Sequence, residues 1–429
     1  MTRVTALTAF DTSSALEVER AAPAPAPARA ALRDQPGSLD LRIYGDFAAV
    51  EAEWRAFERT AECTVFQAFD WLATWQRNVG TRDDVQPAIV VGRFADGETA
   101  IILPLAVAPG RALRRLCWLG EGLCDYHAPL LARGFAQHVP RDRFLDLWAE
   151  LGERFARDPR YRHDWIELEK MPRTVGTEPN PFTYLRVIAN ASGAYSMALG
   201  ESWEKFYHDK RSSATRRRDR AKRRHMSEFG DVRFVTAADV EDARLTLESL
   251  MEKKSRALRR RGIPDMFAAP GHREFYLELA GNARTRDLVH ISRVEIGAAW
   301  AAINFGAVFG DCYYHVLACY DEENESARFG PGVLHLRELI AYAIGRRLKR
   351  FDFTIGDEPY KREWSDTELK LYDYVAGVNA RGALAARVSI ACRRVKRFLK
   401  QTPWAWSSVC RLRAAVGFVR EHIAKIGPR

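Results

Sequence analysis

Residues 328–345 read RFGPGVLHLRELIAYAIG, and residues 351–364 read FDFTIGDEPYKREW. The apolar residues after Gly332 recur with a period of about 3.6, so we predict a helix that Pro331 opens. Lys349 to Thr354 form a predicted strand directly after this helix. Three antiparallel strands are predicted before the glycines: 288–294, 298–307 and 312–318. The predicted order is therefore strands, glycine-rich turn, helix and strand.

The glycine-rich turn is a candidate phosphate site. Small residues at a helix N-terminus let a ligand's phosphates approach unpaired backbone N–H groups, where the helix dipole favours anions. Proline with a flanking glycine is also common at the start of a helix that binds no ligand. Both interpretations stay open for the four residues of the turn: Arg328, Gly330, Pro331 and Gly332.

The second motif places an acid, a phenol and an ammonium close together in sequence. Side chains alternate along a strand, so Asp352 points away from the face that Phe351 and Phe353 share. Tyr360 and Lys361 follow on a loop or short helix that can return to the strand end. Such a trio can move a proton and stabilise developing negative charge. The alternative is a structural Asp–Lys pair within an aromatic core.

Two histidines add candidate proton acceptors. His127 follows Asp125-Tyr126 where a strand at 126–131 is predicted to begin, and His315 lies inside the 312–318 strand. A histidine in a strand is more often a half-buried, hydrogen-bonded residue than a base. Neither has Cys or His partners at metal-ligand spacing, so we predict no metal site.

The chain divides into four parts by pattern. Residues 1–39 are rich in Ala and Pro and predict a disordered tail. Residues 40–195 predict a first α+β unit, with helices at 47–57, 66–75 and 141–155. Its predicted strands are 88–94, 99–107, 116–119, 126–131, 165–168 and 184–187, the first two joined at Asp96-Gly97.

The pattern of residues 196–380 predicts a second unit, which adds a helical stretch from 202 to 225, a strand at 232–235 and a helix at 238–258. Residues 381–429 predict a basic helical tail.

Composition excludes several classes of protein. Of the 429 residues 47% are hydrophobic and 28% are charged, which is typical of a globular chain rather than a disordered one. No apolar run is long enough to span a bilayer, and Asp11 interrupts any signal-peptide core. The seven cysteines are odd in number and include no C-x-x-C pair, so we expect neither a disulfide framework nor a thiolate zinc site. The expected compartment is the reducing cytoplasm.

Together, the glycine turn and the Phe351–Trp364 motif resemble the signature of the CelD/BcsL group of GNAT-family acyltransferases. That group is related to Fem-type peptidoglycan aminoacyltransferases. In the first unit, Phe66-Gln67 with Trp71 and Trp75 is similar to the family's early helix, and Asp125-Tyr126 is similar to its mid-domain motif. The resemblance covers about residues 40–380.

The resemblance implies an α+β fold with two tandem GNAT-like halves, whose mixed, mainly antiparallel sheets are flanked by helices. It implies transfer of an acyl group, from acetyl-CoA or another acyl-CoA, to an amine or hydroxyl of a saccharide or cell-envelope acceptor. The implied catalytic residues are Asp352, Lys361, Tyr360 and His315. The implied donor-binding residues are Arg328, Gly330, Pro331 and Gly332. The implied acceptor-binding residues are Asp125, Tyr126, His127, Gln67 and Trp71.

One departure from the family pattern keeps a second function open. GNAT proteins commonly carry Arg or Gln three residues before the first glycine of the turn, and here that residue is Ala327. Fem-type relatives use a tRNA-borne ester as donor, so an aminoacyl-tRNA-dependent transferase is the main alternative. A non-catalytic scaffold in exopolysaccharide assembly is another.

Two segments rich in Lys and Arg give expectations about nucleic acids and membranes as binding partners. Nine Lys and Arg lie between Lys210 and Arg224, but no aromatic residue alternates with them, so we expect no nucleic acid except tRNA under the alternative. Residues 381–429 hold twelve Lys and Arg and one acid, Glu421. This composition predicts one of two arrangements for the tail. It is either a helix that contacts the inner face of an anionic membrane or a helical cap whose charges are solvated.

Overall fold

The computed structural model describes residues 38–402, 404, 405, 407 and 408. Expectations for residues 1–37, 403, 406 and 409–429 lie outside the described residues. The strands are β1 (Asp40–Tyr44), β2 (Gln86–Pro87), β3 (Ile89–Arg93), β4 (Thr99–Leu103), β5 (Leu105–Ala108), β6 (Arg115–Trp118), β7 (Leu130–Leu131), β8 (Trp165–Pro172), β9 (Thr174–Val175), β10 (Glu178–Pro179), β11 (Ile188–Ala198), β12 (Val232–Thr236), β13 (Val289–Ile296), β14 (Ala299–Phe309), β15 (Cys312–Tyr320), β16 (Arg350–Ile355) and β17 (Thr367–Gly377). The α-helices are α1 (Glu51–Phe57), α2 (Phe69–Trp75), α3 (Phe135–His138), α4 (Arg141–Arg157), α5 (Trp203–Lys210), α6 (Ser213–Ser227), α7 (Val240–Arg260), α8 (His272–Gly281), α9 (Pro331–Gly345), α10 (Pro359–Trp364) and α11 (Ala380–Gln401).

One large sheet runs through both halves of the chain. Its strand order is β12-β13-β14-β15-β16-β11-β17-β8-β6-β5-β2, and all neighbours are antiparallel except the pairs β15–β16 and β6–β8. A smaller sheet has the order β1-β3-β4-β7. Helices flank these sheets, and α11 packs on β17, β11 and β8. The predicted α+β class, with mixed and mainly antiparallel sheets and a C-terminal helix, is confirmed.

Both parallel pairs separate after a short ladder. The β15–β16 ladder joins Cys312–Tyr314 to Arg350–Asp352 and then ends. The β6–β8 ladder joins only two residues on each strand. In each pair the second strand carries a non-glycine residue with positive φ, Lys170 at 54° and Thr354 at 60°. In each half, a parallel pair of strands thus starts with a ladder of two or three residues, and the second strand of the pair carries a residue with positive φ.

Several element predictions need correction. The predicted strand 99–107 is two strands in different sheets, because Pro104 has no N–H to donate and breaks the ladder between β4 and β5. The predicted strand 126–131 is a strand only at β7, so His127 lies in a loop. The predicted strand 184–187 is not a strand, because Tyr184 ends a 3-10 helix over 181–184 and β11 begins only at Ile188. The helical stretch 202–225 breaks at Arg211 and Ser212, where Ser212 caps α6.

Two long strands were not predicted. β11 lies between β16 and β17 in the large sheet, and β17 in turn pairs with β8. The chain segment around residue 195 is therefore part of a strand that completes the sheet of the second half. The division into units at 40–195 and 196–380 stays a prediction.

The hydrophobic core is continuous across the two halves. Phe66 packs edge-on against Tyr126 at 5.4 Å between ring centroids and against Tyr314 at 5.9 Å. Trp71 packs against Phe275 at 5.2 Å. These contacts hold the first half firmly on the face of the second. No helix among the described residues is both long and apolar enough to cross a bilayer.

Candidate functional site

A cavity of about 670 Å³ lies where β15 and β16 separate. Both halves line it. Asp125 and Leu123 come from the first half, and Lys254 and Tyr276 come from α7 and α8. The remaining wall is formed by β15 from His315 to Tyr320, the glycine turn, Thr354 and Ile355, and α10.

The glycine turn forms one end of this cavity. Gly330 has φ 76° and precedes Pro331, the first residue of α9. A Cβ added to Gly332 would meet the Tyr320 ring at 3.5 Å, so the two residues face each other closely. Pro331 has no N–H, and the amides of Val333 and Leu334 donate to the Gly330 carbonyl at 3.0 and 3.3 Å, so in this first turn the Gly332 amide is the one left without a hydrogen bond among the described residues. The predicted helix start occurs here, and the phosphate site at the turn stays a prediction.

Lys222 on α6 stands beside the turn. A Cβ added to Gly330 would lie 3.9 Å from Nζ of Lys222. Lys222 forms no ion pair with any described residue. Its ammonium group, the Gly332 amide and the positive end of the α9 dipole therefore form a place suited to an anion.

Lys361 and Tyr360 lie on α10 and line the cavity. The Lys361 side chain is only 5% exposed, and its Nζ donates to the carbonyl oxygen of Ile355 at 2.7 Å. Nζ also lies 3.3 Å from Oε2 of Glu358. Burial raises the pKa of the Tyr360 phenol, so the phenol keeps its proton at neutral pH.

Asp125 is the acid that faces the cavity from the first half. Burial raises its pKa above the ordinary value, while Lys170, a hydrogen bond from Thr354 and Lys361 act in the opposite direction. Thr354 is β-branched and yet has φ 60°, a strained conformation for such a residue. The strain therefore lies directly beside the candidate acid.

Asp352 is buried behind the cavity wall rather than in it. Its Oδ1 accepts hydrogen bonds from the Tyr126 hydroxyl at 2.7 Å and from the Thr354 amide at 2.7 Å. Burial raises the pKa of Asp352 to about 6, and both hydrogen bonds limit that rise. The structure thus brings the Asp125-Tyr126 motif and the Phe351-Asp352-Phe353 motif together, with Asp125 facing the cavity and Asp352 supporting Thr354.

His315 lines the cavity as a neutral imidazole. Burial, with the nearby charges of Lys361 and Lys254, lowers its pKa to about 3. In the amide orientation that satisfies all neighbours of Asn304, this residue donates to Nε2 of His315 at 3.1 Å. A nitrogen that already accepts a hydrogen bond and has so low a pKa is a poor proton acceptor at neutral pH.

The other sequence candidates lie outside the cavity wall. Gln67 is buried and donates to the Tyr126 carbonyl at 3.1 Å, and Trp71 is buried in the shared core. His127 is buried, which lowers its pKa well below the ordinary value. Arg328 is exposed, with its guanidinium over the Phe329 ring at 4.9 Å. The structure places the first three within the packing that supports Tyr126 and Asp125.

Sequence reasoning missed three residues of the site: Lys222, Lys254 and Thr354. Lys254 is buried, which lowers its pKa, and it donates to the Ala318 carbonyl at 3.2 Å. Both lysines lie on charged helices, where a cation is normally a solvated surface residue. Thr354 belongs to the quoted motif, but no linear pattern reveals a positive φ. Among the described residues, no group of three or more His, Cys, Asp or Glu is arranged to hold a metal ion.

Comparisons with known proteins give a family match for one region of the chain and similarities of its fold. Residues 213–362 match the family model described as an acetyltransferase (GNAT) domain, which includes Lys222, the glycine turn and Lys361. No curated protein sequence matches the chain. The crystal structure of FemX has a TM-score of 0.54 at 10% identity, over 76% of this chain and 96% of that chain.

Two further solved structures are similar at lower TM-scores. L-PGS from Bacillus licheniformis gives 0.45 at 11% identity, over 78% of this chain and 96% of that chain. A tandem GNAT protein from the clavulanic acid biosynthesis pathway gives 0.44 at 10% identity, over 80% and 99%. Residues 213–362 thus match a GNAT acetyltransferase domain, and the fold of the chain is similar to that of FemX.

Proposed function

We propose that the protein transfers an acyl group from acetyl-CoA, or another acyl-CoA, to an amine or hydroxyl of a saccharide or cell-envelope acceptor. One observation carries the proposal: a single cavity has an anion-suited helix N-terminus at one end and Asp125, Tyr360 and Lys361 along its wall. This cavity lies at the gap between β15 and β16. GNAT domains generally use acyl-CoA, and the matched domain includes this gap.

The residues present fit the phosphates of an acyl-CoA. Gly330 and Gly332 leave space for close approach to the Gly332 amide, and Lys222, which pairs with no acid among the described residues, supplies a cation beside it. Ala327 cannot supply the side chain that the GNAT pattern usually places before the turn. Lys222 reaches the same turn from α6, so we assign it that charge-pairing role.

When bound, the thioester supplies an activated carbonyl carbon. In transfer, a C–N or C–O bond forms to the acceptor and the C–S bond breaks. We assign Asp125 to accept the proton that the acceptor loses, because it faces the cavity with a raised pKa. Lys361 stabilises the negative charge that develops on the carbonyl oxygen. Tyr360, held as a phenol, donates a proton to the leaving thiolate.

Asp352 and His315 take supporting roles in this proposal. Asp352 fixes the Thr354 amide and the Tyr126 hydroxyl, and so positions the strained residue beside Asp125. His315 presents a neutral polar surface to the substrate rather than a base. The acceptor class rests on the resemblance to the CelD/BcsL group.

A second candidate is an aminoacyl-tRNA-dependent transferase of the Fem type. The fold similarity to FemX favours it. So does α6, where Arg217, Arg218, Arg220 and Arg224 are exposed and form no ion pair with described residues. These cations extend the positive surface away from Lys222.

Calorimetry with the full chain tests the proposal. Titration with acetyl-CoA, with longer acyl-CoAs and with aminoacyl-tRNA should show binding of an acyl-CoA, and incubation with amino sugars and amines should release free CoA thiol. Binding of aminoacyl-tRNA alone would support the Fem-type candidate. Binding of none of these would indicate a non-catalytic scaffold and overturn the proposal.

A further inference from the structure

Helix α11 has two opposite faces that are occupied very differently. The helix runs from Ala380 to Gln401, and Asn379 caps it by accepting from the Gly382 amide. One face packs on β17, β11 and β8. The other face is exposed to solvent and yet carries large apolar side chains, which is unusual for an exposed surface.

Ion pairs and hydrogen bonds hold the inward face of α11 against the sheet. Arg393 pairs with Asp373 at 2.8 Å and also with Glu167 and Glu169. The carboxylates of Asp373 and Glu167 are only 2% and 7% exposed, so this cluster is an internal anchor. Near the end of the helix, Lys400 donates to Ser192 at 2.7 Å and to Asp357 at 3.0 Å. The anchors prevent α11 from turning its outer face inward.

The outward face carries a continuous apolar stripe. Its large members are Leu384, Val388, Val395 and Phe398, which are 64%, 56%, 58% and 63% exposed. Their spacing of four, seven and three residues, with Ala391 between, places them on one line along the helix. Trp404, just beyond the helix, is 72% exposed. We call this set the α11 stripe.

Cations border the stripe on both sides. At about 100° per residue, Arg387 and Arg394 lie along one edge, and Arg381 and Lys396 lie along the other. Arg387, Arg394 and Lys396 form no ion pair with any described residue. Residues 380–401 contain seven Lys and Arg and no acid.

We infer that the α11 stripe docks the protein on an anionic phospholipid surface. An interfacial helix needs an apolar face that enters the boundary between headgroups and acyl chains, with cations beside it that reach the phosphates. The α11 stripe and its two basic edges have this arrangement. This inference goes beyond the proposed acyl transfer and does not depend on it.

Charge argues against the other occupants of the stripe. A second copy of the chain, paired stripe to stripe, would bring together two helix faces that each carry Arg387, Arg394 and Lys396 and no acid. The segment 409–429 of the same chain is also basic, with Glu421 its only acid. An anionic surface is the partner that complements both the stripe and its edges.

Sedimentation of the full chain with vesicles tests the inference. We expect binding to vesicles of phosphatidylcholine and phosphatidylglycerol in equal parts, little binding to phosphatidylcholine alone, and release as salt is raised. Leu384→Ser with Phe398→Ser should abolish binding. Because both side chains are mainly exposed, these changes should leave folding intact, which circular dichroism would verify.

Two double variants, each of which removes two positive charges, distinguish the effect of the charge beside the stripe from the effect of the protein's net charge. Arg387→Gln with Arg394→Gln should weaken vesicle binding by roughly twenty-five-fold, because each cation near an anionic leaflet contributes about a factor of five. The matched control is Arg82→Gln with Arg286→Gln, two exposed arginines without ion pairs to described residues. This control loses the same charge and should bind as the wild type does.

Two results would overturn the inference. One is equal binding to neutral and anionic vesicles, or equal loss in the control pair. The other is a wild type that ignores vesicles but shows a dimer mass in light scattering, which Leu384→Ser with Phe398→Ser converts to a monomer. The second result would assign the stripe to a second copy of the chain.

Discussion

The hydroxyl of Tyr126 donates a 2.7 Å hydrogen bond to Oδ1 of Asp352, which lies 226 positions later in the chain. Both residues are buried, and each comes from a different half of the molecule. Asp352 also accepts from the Thr354 amide, so the bond ties the first half to the strained residue of β16. The packing between the halves and the shape of the candidate site therefore depend on the same pair.

Tyr126→Phe should destabilise the protein by about 1–3 kcal/mol, because it leaves a buried carboxylate with one donor fewer. Urea unfolding followed by circular dichroism measures this loss. Tyr161→Phe is the matched control, since Tyr161 is equally buried but its hydroxyl has no hydrogen-bond partner among the described residues. Equal stability losses in the two variants would show that the bond to Asp352 contributes nothing specific.

Asp352 should also make stability depend on pH. Its pKa is about 6 in the folded protein, above the ordinary value of 3.8, so the folded state binds this proton more tightly. The contribution to the free energy of unfolding is present at low pH and is lost as pH rises through 6, by about 3 kcal/mol in all. Asp352→Asn cannot titrate. The wild-type stability should therefore fall more steeply than that of the variant between about pH 4 and pH 7; parallel curves would contradict the raised pKa.

The sequence predicted the elements whose partners are near in the chain. Strands β13 to β16 and helix α9 follow the predicted pattern to within about two residues, because hairpin turns and the 3.6-residue period are local signals. β11 and β17 were missed because they pair with each other and with β16 and β8, so no hairpin marks either strand. β11 also contains Asn190, Ser192 and Gly193, which hide its alternation.

The site was predictable in its two motifs and in two single residues. The sequence indicated Gly330 with Gly332, Tyr360 with Lys361, Asp125 and His315, and the structure places all of them on one cavity. It could not tell that Asp125 faces this cavity while Asp352 lies behind the wall, since that depends on how the halves pack. Nor could it single out Lys222 among nine cations of similar spacing.

The glycine turn gives a prediction about donor binding. Gly332→Val should reduce acetyl-CoA affinity by at least roughly tenfold in calorimetry, because its side chain would fill the gap towards Tyr320 that the donor needs. Gly345→Val is the control at the other end of α9, where a Cβ meets nothing within 4 Å. This control should bind acetyl-CoA as the wild type does. Unchanged affinity in a folded Gly332→Val protein would leave the turn as a plain helix start.

Lys222 gives a prediction about charge at the same turn. Lys222→Gln should weaken acetyl-CoA binding by roughly tenfold, the usual scale for losing one charged hydrogen-bond donor to an anion. Arg220→Gln is the control, because Arg220 lies two residues away on nearly the opposite side of α6 and is exposed. The salt dependence of affinity should become shallower only in Lys222→Gln. If both variants weaken binding alike, the effect comes from the overall charge of α6.

Asp125 gives the prediction that tests the chemistry. Asp125→Asn should lower turnover by roughly a hundredfold or more, with little change in acetyl-CoA affinity, because a positioned base acts on the acceptor rather than on the donor phosphates. Wild-type turnover should fall as pH drops through the pKa of Asp125, which burial raises above 3.8, since only the carboxylate accepts a proton. That acidic limb should be absent from the residual activity of Asp125→Asn. Glu358→Gln is the control, since Glu358 also lines the cavity but its side chain is 55% exposed. A larger loss of turnover in Glu358→Gln than in Asp125→Asn would move the base to Glu358 and contradict the assignment.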